Sequence, residues 1–263
     1  MKFVDLSCDL GESYGNFKVG SDEEVVPHIA SASVGCGFHA GDPSTMRKTI
    51  ELAKTHNVRV GAHPGFPDLL GFGRRYMDVS SRDITNYVLY QVGALSAMCR
   101  VVGVAMQHVK PHGALMDMAA QDRRIAVAIV EAVALYDPKL VLYTTWNSEV
   151  VRAAEEKGVA LALEVYADRA VDDGGIEIAG YDVATLGGTP EAAIERVIVA
   201  LETGRLRTSS GRLISWTANS VCFHGDSSDT LVYARGLRSG IEKAGIQVRA
   251  PADWGAESKA SPS

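Results

Sequence analysis

The sequence lacks a hydrophobic run long enough to span a membrane, and it lacks any block of like charge. Its most apolar helical stretch, residues 125–135, is too short for a bilayer and carries Glu131. The net charge is −6, from 26 basic and 32 acidic residues, and no basic cluster marks a nucleic-acid or membrane surface. We therefore expect neither a membrane span nor a nucleic-acid partner, which leaves small molecules as ligands.

Cysteine is scarce, and its spacing excludes common metal and redox motifs. The four cysteines show no C-x-x-C spacing; they are Cys8, Cys36, Cys99 and Cys222. The N-terminus reaches Asp5 without the apolar core of a signal peptide, so we expect a cytoplasmic chain with reduced thiols. A Walker A phosphate loop is also missing, so ATP binding through such a loop is not expected.

Strand-like and helix-like segments alternate along the chain, which predicts a parallel sheet covered by helices. Strands are predicted at 3–8, 33–36, 58–62, 105–109, 140–144, 161–166 and 220–223. Helices are predicted at 43–56, 80–102, 122–135, 148–157, 190–203 and 226–244. About seven such units fit a closed or nearly closed β/α barrel better than an open doubly wound sheet. We predict one domain at 1–249, with a long loop at 172–188 and a disordered tail at 250–263.

The first predicted strand has an unusual polar face. Alternation places Asp5, Ser7 and Asp9 on one side of the strand and apolar residues on the other. The apolar side has to meet the helices, so the polar side is expected to face the barrel interior. Buried carboxylates there need hydrogen-bond donors or cations as partners.

Polar motifs follow the apolar runs at five places. Loops after the carboxyl ends of parallel strands gather on one face of an α/β protein, so these side chains are expected at one mouth. We therefore predict an active site there. The residues predicted to carry its chemistry are Asp9, Glu12, His39, His63, His108, Lys110, His112, His224 and Asp226.

The densest of these motifs runs from His108 to His112. Pro111 excludes a helix, and on an extended strand end His108, Lys110 and His112 share one face. Two imidazoles and an amine would then converge, which suits a metal site or oxyanion stabilisation beside a general base. The alternative is a pair of hydrogen-bonded structural histidines.

The carboxylates of the predicted mouth each have a structural alternative. Asp9 and Glu12 suit general acid–base work, but either could instead order its loop through backbone hydrogen bonds. Asp226 is expected to orient His224, with a helix N-cap as the alternative. A nucleophile formed by Cys222 and His224 competes with a simply buried thiol.

Two arginine-containing segments are predicted to bind substrate. Arg74 and Arg75 end a loop rich in glycine and proline, and they could grip a carboxylate or phosphate or simply be solvated. Asp168 and Arg169 follow the sixth strand and could form an internal pair.

Four motifs together resemble the LamB/YcsF family. They are CDLGES at residues 8–13, GFHAGDP at 37–43, GAHPGFPD at 61–68 and HVKPHGAL at 108–115. The resemblance extends from residue 1 to about residue 245, and several long motifs occur in the expected order.

The resemblance implies a fold and an activity. The fold would be an irregular seven-stranded β/α barrel of the glycoside hydrolase/deacetylase type. The activity would be cleavage of the 5-oxoproline lactam to L-glutamate, with ATP as co-substrate handled by partner subunits of the PxpB and PxpC type. A five-membered lactam is a stable amide, so its carbonyl benefits from activation such as phosphorylation. The oligomeric state, a homo-oligomer included, and the presence of a divalent metal stay open.

Two other functions compete with this one. A metal-dependent hydrolase, such as a carbohydrate deacetylase, would use Asp9, His63, His108 or His112 as ligands around an activated water. An accessory subunit would bind a lactam or an amino acid without performing chemistry. The clustered titratable groups favour an enzyme over the accessory subunit.

Three segments near the predicted mouth depart from the family pattern. Met116 stands where relatives usually have tyrosine, and residues 144–147 are bulkier than expected. Relatives usually have a basic segment that contains a Pro-Gly turn, and residues 174–183 of this chain take its place. The resemblance therefore supports lactam or cyclic-amide chemistry more firmly than it supports 5-oxoproline as the substrate.

Overall fold

The protein forms a closed barrel of seven parallel strands surrounded by helices in a computed structural model that describes residues 2–178, 186, 188–226 and 229–254. The strands are β1 Phe3–Leu10, β2 Ser31–Gly35, β3 Arg59–His63, β4 Met106–Val109, β5 Val141–Thr145, β6 Leu161–Tyr166, β7 Arg205–Arg207, β8 Leu213–Ser215, β9 Ser220–His224 and β10 Gln247–Val248. The helices are α1 Asp22–Val25, α2 Pro43–Thr55, α3 Ser81–Val102, α4 Gly113–Gln121, α5 Arg123–Tyr136, α6 Glu149–Lys157, α7 Pro190–Thr203 and α8 Thr230–Lys243.

The barrel runs in the order β1-β2-β3-β4-β5-β6-β9 and closes where β9 pairs with β1. All of these pairings are parallel, so the carboxyl ends of the seven strands meet at one mouth. The antiparallel β7–β8 hairpin lies outside the barrel, and β10 extends the sheet beside the start of β1. The predicted β/α barrel is confirmed.

The alternating residues of β1 separate two environments. Val4, Leu6, Cys8 and Leu10 are buried in the core that packs against the helices. Asp5 lies inside the barrel, where its carboxylate accepts hydrogen bonds from Ser31 Oγ at 2.8 Å, Tyr143 OH at 2.7 Å and Ser220 Oγ at 3.2 Å. Three other strands supply these donors. The interior of the barrel is therefore polar at its base, as the alternation of β1 predicts.

Helix boundaries follow local capping chemistry. The Asp42 carboxylate accepts from the backbone N–H groups of Ser44 and Thr45 and begins α2, and Ser80 caps α3 in the same way. Helix α3 ends at Gly103, whose φ of 77° lies in the left-handed region that glycine favours. Among the described residues, no helix combines the length and the hydrophobicity needed to cross a bilayer.

The sequence prediction missed some elements and misplaced others by a few residues. It had no helix at α4, which follows β4 after only three residues, and no hairpin at β7–β8. It also began α8 at residue 226, whereas the helix begins at Thr230.

The end of the described chain packs on the barrel. Part of the predicted disordered tail forms a short 3₁₀ helix, Pro251–Asp253. Asp253 forms an ion pair with Arg59, and the Trp254 ring stacks on Phe3 with centroids 6.3 Å apart. The ordered barrel therefore extends five residues beyond the predicted boundary at 249, and the rest of the predicted tail, 255–263, lies outside the described residues.

Candidate active site

A cavity of about 90 Å³ opens at the carboxyl ends of the barrel strands. It has room for roughly three waters or a small ligand. Several strand-end loops contribute to it, and its polar lining includes Asp9, His63, Lys110, His112, Arg169 and His224. This is the mouth at which the sequence motifs were expected to meet.

An ion pair between Asp9 and Lys110 lies at the centre of the mouth. Lys110 Nζ is 2.7 Å from Asp9 Oδ1, 2.9 Å from Cys222 Sγ and 3.8 Å from Glu164 Oε1. Burial lowers the pKa of Lys110, but Asp9 and its other acidic neighbours outweigh it, so the net shift is upward. Burial also opposes ionisation of Asp9, yet His63 and Lys110 hold its pKa well below the ordinary value. Both groups are therefore charged.

Three imidazoles and one carboxylate form a compact group beside this pair. Glu12 Oε1 lies 3.2 Å from His39 Nε2, 3.7 Å from His112 Nδ1 and 3.9 Å from His63 Nε2. His112 Nδ1 lies 2.9 Å from His63 Nε2, and the His39 ring stacks on the His112 ring at 3.7 Å. All four side chains are buried, so their polar atoms need hydrogen-bond partners inside the protein, which this group largely supplies.

Asp168 orients His224, a role that the sequence assigned to Asp226. The Asp168 carboxylate accepts from His224 Nδ1 at 2.9 Å and from the His224 backbone N–H at 2.9 Å. Burial opposes its ionisation, but His224 and Arg169 lower the pKa of Asp168 to about 2. Asp226 instead bridges two arginines, with contacts of 2.5 Å to Arg74 and 3.3 Å to Arg169. The expectation for Asp226 was wrong because the aspartate on the neighbouring strand end reaches the imidazole.

His108 does not join the other imidazoles. Its ring lies deeper in the barrel, where Nε2 contacts Ser33 Oγ at 3.1 Å and Nδ1 contacts Gln107 Nε2 at 3.0 Å. Burial lowers the pKa of His108 to about 3, so the ring is neutral. Gly61 faces this ring, and a Cβ there would overlap it. The expectation that His108, Lys110 and His112 converge was therefore wrong for His108, which fills the lumen below the mouth.

The two adjacent arginines have different surroundings. Arg74 lines the cavity, and its side chain is 40% exposed. Arg75 turns away and pairs with the buried carboxylate of Asp68, which also accepts from the Gly71 backbone. Arg74 can reach a ligand in the cavity, whereas Arg75 holds the shape of the loop after β3. The expected substrate contact of Arg75 is therefore corrected.

Sequence reasoning missed several acidic and aromatic residues of the mouth. Glu164 and Tyr166 lie on the inner face of β6, Asp117 lines the cavity from α4, and Glu177 lines it from the loop after β6. Burial raises the pKa of Asp117 to about 6, of Glu164 to about 7 and of Glu177 to about 8. Glu164 and Glu177 can therefore carry protons at neutral pH, whereas Asp117 is mostly ionised there. Alternation along β6 was a signal for Glu164 and Tyr166, and no comparable signal marked the other two.

The three departures from the family pattern lie at or near this mouth. Met116 lines the cavity and accepts a contact from Thr144 Oγ1 at 3.7 Å. Asn147 donates from Nδ2 to the Gly174 carbonyl at 2.9 Å and ties the loop after β5 to the loop after β6. Of the segment at 174–183, residues 179–183 lie outside the described residues.

Comparison with known proteins identifies the family. A family model described as LamB/YcsF matches residues 4–255. The chain belongs to the LamB/YcsF family. The A subunit of 5-oxoprolinase from Bacillus thuringiensis is 45% identical over 252 residues, covering 95% of this chain and all of that protein. The protein of the same name from Pyrococcus abyssi is 46% identical over 246 residues, covering 93% of this chain and 96% of that one.

Solved structures extend the comparison to the fold of the family. The lactam utilization protein from Thermus thermophilus has a TM-score of 0.87 and 41% identity, and the match covers 95% of this chain and all of that one. A putative cellobiose-phosphate cleavage protein from Enterococcus faecalis has a TM-score of 0.55 at 10% identity, covering 94% of this chain and 96% of that one. The second likeness supports the barrel alone.

Proposed function

We propose that this chain is the subunit of a 5-oxoprolinase-type enzyme in which the lactam is opened to L-glutamate. ATP hydrolysis would drive the reaction, with partner subunits of the PxpB and PxpC type. The relatives named as 5-oxoprolinase A subunits match the chain along almost its whole length, and being subunits implies partners for them. The observation that carries the proposal is the mouth itself, which combines cationic side chains for a carboxylate with an oriented imidazole and carboxyl groups whose pKa burial raises.

The arginines of the mouth account for binding. 5-Oxoproline carries one carboxylate, and Arg74 is the cation beside the cavity that stays 40% exposed, paired with Asp226 through Nη2 alone. Arg169 is buried and already bound to Asp168 and Asp226, so it fixes the shape of the mouth. A bidentate arginine–carboxylate contact would orient the ring with its lactam carbonyl toward Lys110.

The Asp168–His224 pair accounts for proton transfer. Asp168 accepts a hydrogen bond from Nδ1–H of His224, which leaves Nε2 as the basic atom of a side chain that lines the cavity. Burial lowers the pKa of His224, so the ring is neutral and can accept a proton from water. Water adds to the lactam carbonyl, the ring nitrogen takes up a proton from a carboxyl group such as Glu177, and the C–N bond breaks. The products are the carboxylate and the amine of glutamate.

The ATP step is assigned to the partners. The chain has no Walker A loop, and phosphorylation of the lactam oxygen by a partner, with release of ADP, would make the carbonyl carbon more reactive. Addition of water and cleavage of the C–N bond would then give the γ-carboxyl phosphate of glutamate, and its hydrolysis would release inorganic phosphate and glutamate. The four thiols are free and buried, and we place the complex in the cytoplasm.

Glutamate and ADP release from 5-oxoproline and ATP tests the proposal. We expect both products only when this chain and the two partner subunits are mixed. Replacing the base in His224→Gln should lower the rate about 10²–10⁴-fold, whereas His56→Gln at an exposed position should leave it unchanged. The positive control is the same pair of partner subunits mixed with the Bacillus thuringiensis A subunit. If that mixture releases glutamate and the mixture with this chain does not, the proposal is refuted.

A further inference from the structure

Two hydrogen bonds fix the positions of hydrogen on two imidazoles of the mouth. His63 Nδ1 lies 2.7 Å from the carbonyl oxygen of Lys110, and His112 Nε2 lies 2.7 Å from that of Phe72. A carbonyl oxygen only accepts, so both of these nitrogens are N–H donors. In a neutral ring the other nitrogen then has no hydrogen. Those atoms are Nε2 of His63 and Nδ1 of His112.

These two hydrogen-free nitrogens lie opposite each other. Their separation is 2.9 Å, a hydrogen-bond distance with no hydrogen to share when both rings are neutral. Asp9 Oδ2 lies 3.2 Å from the same His63 nitrogen, and Glu12 Oε1 lies 3.9 Å from it. Four acceptor atoms therefore surround one small region, and a cation between them would relieve their repulsion.

We infer that His63, His112 and Glu12 bind a divalent transition-metal ion of the Zn²⁺ class, with Asp9 beside it. Metal–ligand distances of about 2.0–2.2 Å place neighbouring donor atoms roughly 3–4 Å apart, which matches the separations in this group. Glu12, His39, His63 and His112 each offer a ligand atom, and these atoms all lie within 4.8 Å of one another. Imidazole and carboxylate donors together suit zinc and its first-row neighbours.

The surroundings of the group hold it in the geometry of a metal site. Ligand histidines usually donate their outer N–H to a carbonyl or carboxylate, as His63 and His112 do here. His39 Nε2 contacts the Glu12 oxygen at 3.2 Å and so positions the carboxylate. Lys110 pairs with Asp9 and Glu164 and forms no ion pair with Glu12, whose carboxyl group is buried among the imidazoles.

The ion would face the cavity, since His63, His112 and Asp9 line it. Its chemical use, as a Lewis acid for the lactam carbonyl or for the attacking water, rests on the proposed function. The binding of the ion is independent of that function. A shared proton on His63 is the competing occupant, and it would satisfy His112 and Asp9 without any metal.

Metal binding by the isolated full chain distinguishes the two occupants without substrate or ATP. We would strip the protein with a chelator, titrate it with ZnCl₂ by calorimetry and measure bound zinc by mass spectrometry. We expect one Zn²⁺ per chain. The double variant His63→Gln/His112→Gln should weaken binding about 100-fold or more, and His56→Gln should not change it. Circular dichroism checks that each variant is folded, and Glu12→Gln provides a second test should the double variant not fold.

Three results would overturn the inference. The first is folded wild-type protein that binds no Zn²⁺, which would leave the proton as occupant. The second is unchanged binding in folded His63→Gln/His112→Gln. The third is loss of binding in Cys222→Ser, because Asp9, Cys222 and His224 form a separate group of possible ligands. Since none of these assays measures glutamate release, they can fail while the proposed function stands, and the reverse also holds.

Discussion

Replacing Lys110 by methionine tests whether one buried ion pair holds the mouth together. The side chain is 2% exposed, and its ammonium group lies 2.7 Å from Asp9 Oδ1. Methionine keeps much of the length and apolar character of the side chain but removes the charge. Asp9 then keeps a buried negative charge with one cation fewer. Removing one partner of such a pair costs about 3–5 kcal/mol.

Thermal unfolding measures this cost. For a chain of this size, 1 kcal/mol corresponds to roughly 2–4 °C, so we expect Lys110→Met to lower the Tm by roughly 6–20 °C. The matched control is Lys48→Met, because Lys48 pairs with Glu23 on the surface with side chains 73% and 69% exposed. The control should cost less than about 1 kcal/mol.

A double variant separates the unpaired charge from lost packing. Asp9→Asn in the Lys110→Met background removes the carboxylate that was left without its cation, so part of the lost Tm should return. A Lys110→Met protein whose Tm equals that of the Lys48→Met control would refute the reasoning. Simple addition of the two single effects would refute it as well.

Three further predictions concern other parts of the barrel. Burial raises the pKa of Asp5 from 3.8 to about 6, so between these values the folded chain holds a proton that the unfolded chain releases. The free energy of unfolding should therefore fall by about 3 kcal/mol as the pH rises through this range, and urea melts of Asp5→Asn should show a weaker fall. Gly61→Ala would push a methyl group into His108 and should cost about 1–3 kcal/mol in urea melts, whereas Gly93→Ala in α3 meets open space and should stabilise by about 0.5–1 kcal/mol. Arg74→Gln should raise the KM for 5-oxoproline roughly tenfold or more in the complete enzyme mixture, and an unchanged KM would move the carboxylate elsewhere.

Alternation and capping predicted most of the barrel because strands and helices bury different periodic faces. The prediction failed where an element was too short to show a period. Only three residues separate helix α4 from β4, and the helix begins at Gly113, directly after a proline-containing motif whose composition is typical of a loop. The β7–β8 hairpin has three residues in each strand, which is too few to establish alternation.

The candidate site was predictable in its strand faces but not in its depth. Alternation correctly turned Asp5 and Asp9 into the barrel, and the same test applied to β6 would have found Glu164. Alternation gives the direction of a side chain and not its height along the barrel axis. His108 lies beside Gly61 because the β3–β4 pairing shifts register there, so the ring fills the lumen below the mouth. Such a shift depends on contacts between strands and leaves little trace in either strand alone.

The partner of His224 shows where sequence nearness misleads in a parallel barrel. Asp226 is two residues away along the chain, and that nearness favoured it. The structure pairs Tyr166 on β6 with Cys222 on β9, so continuing the register by two residues places Asp168 opposite His224. Their side chains meet at 2.9 Å although 56 residues separate them. In a parallel barrel, a residue at a strand end finds its partners on the adjacent strand ends, so strand order and register predict these contacts better than distance along the chain does.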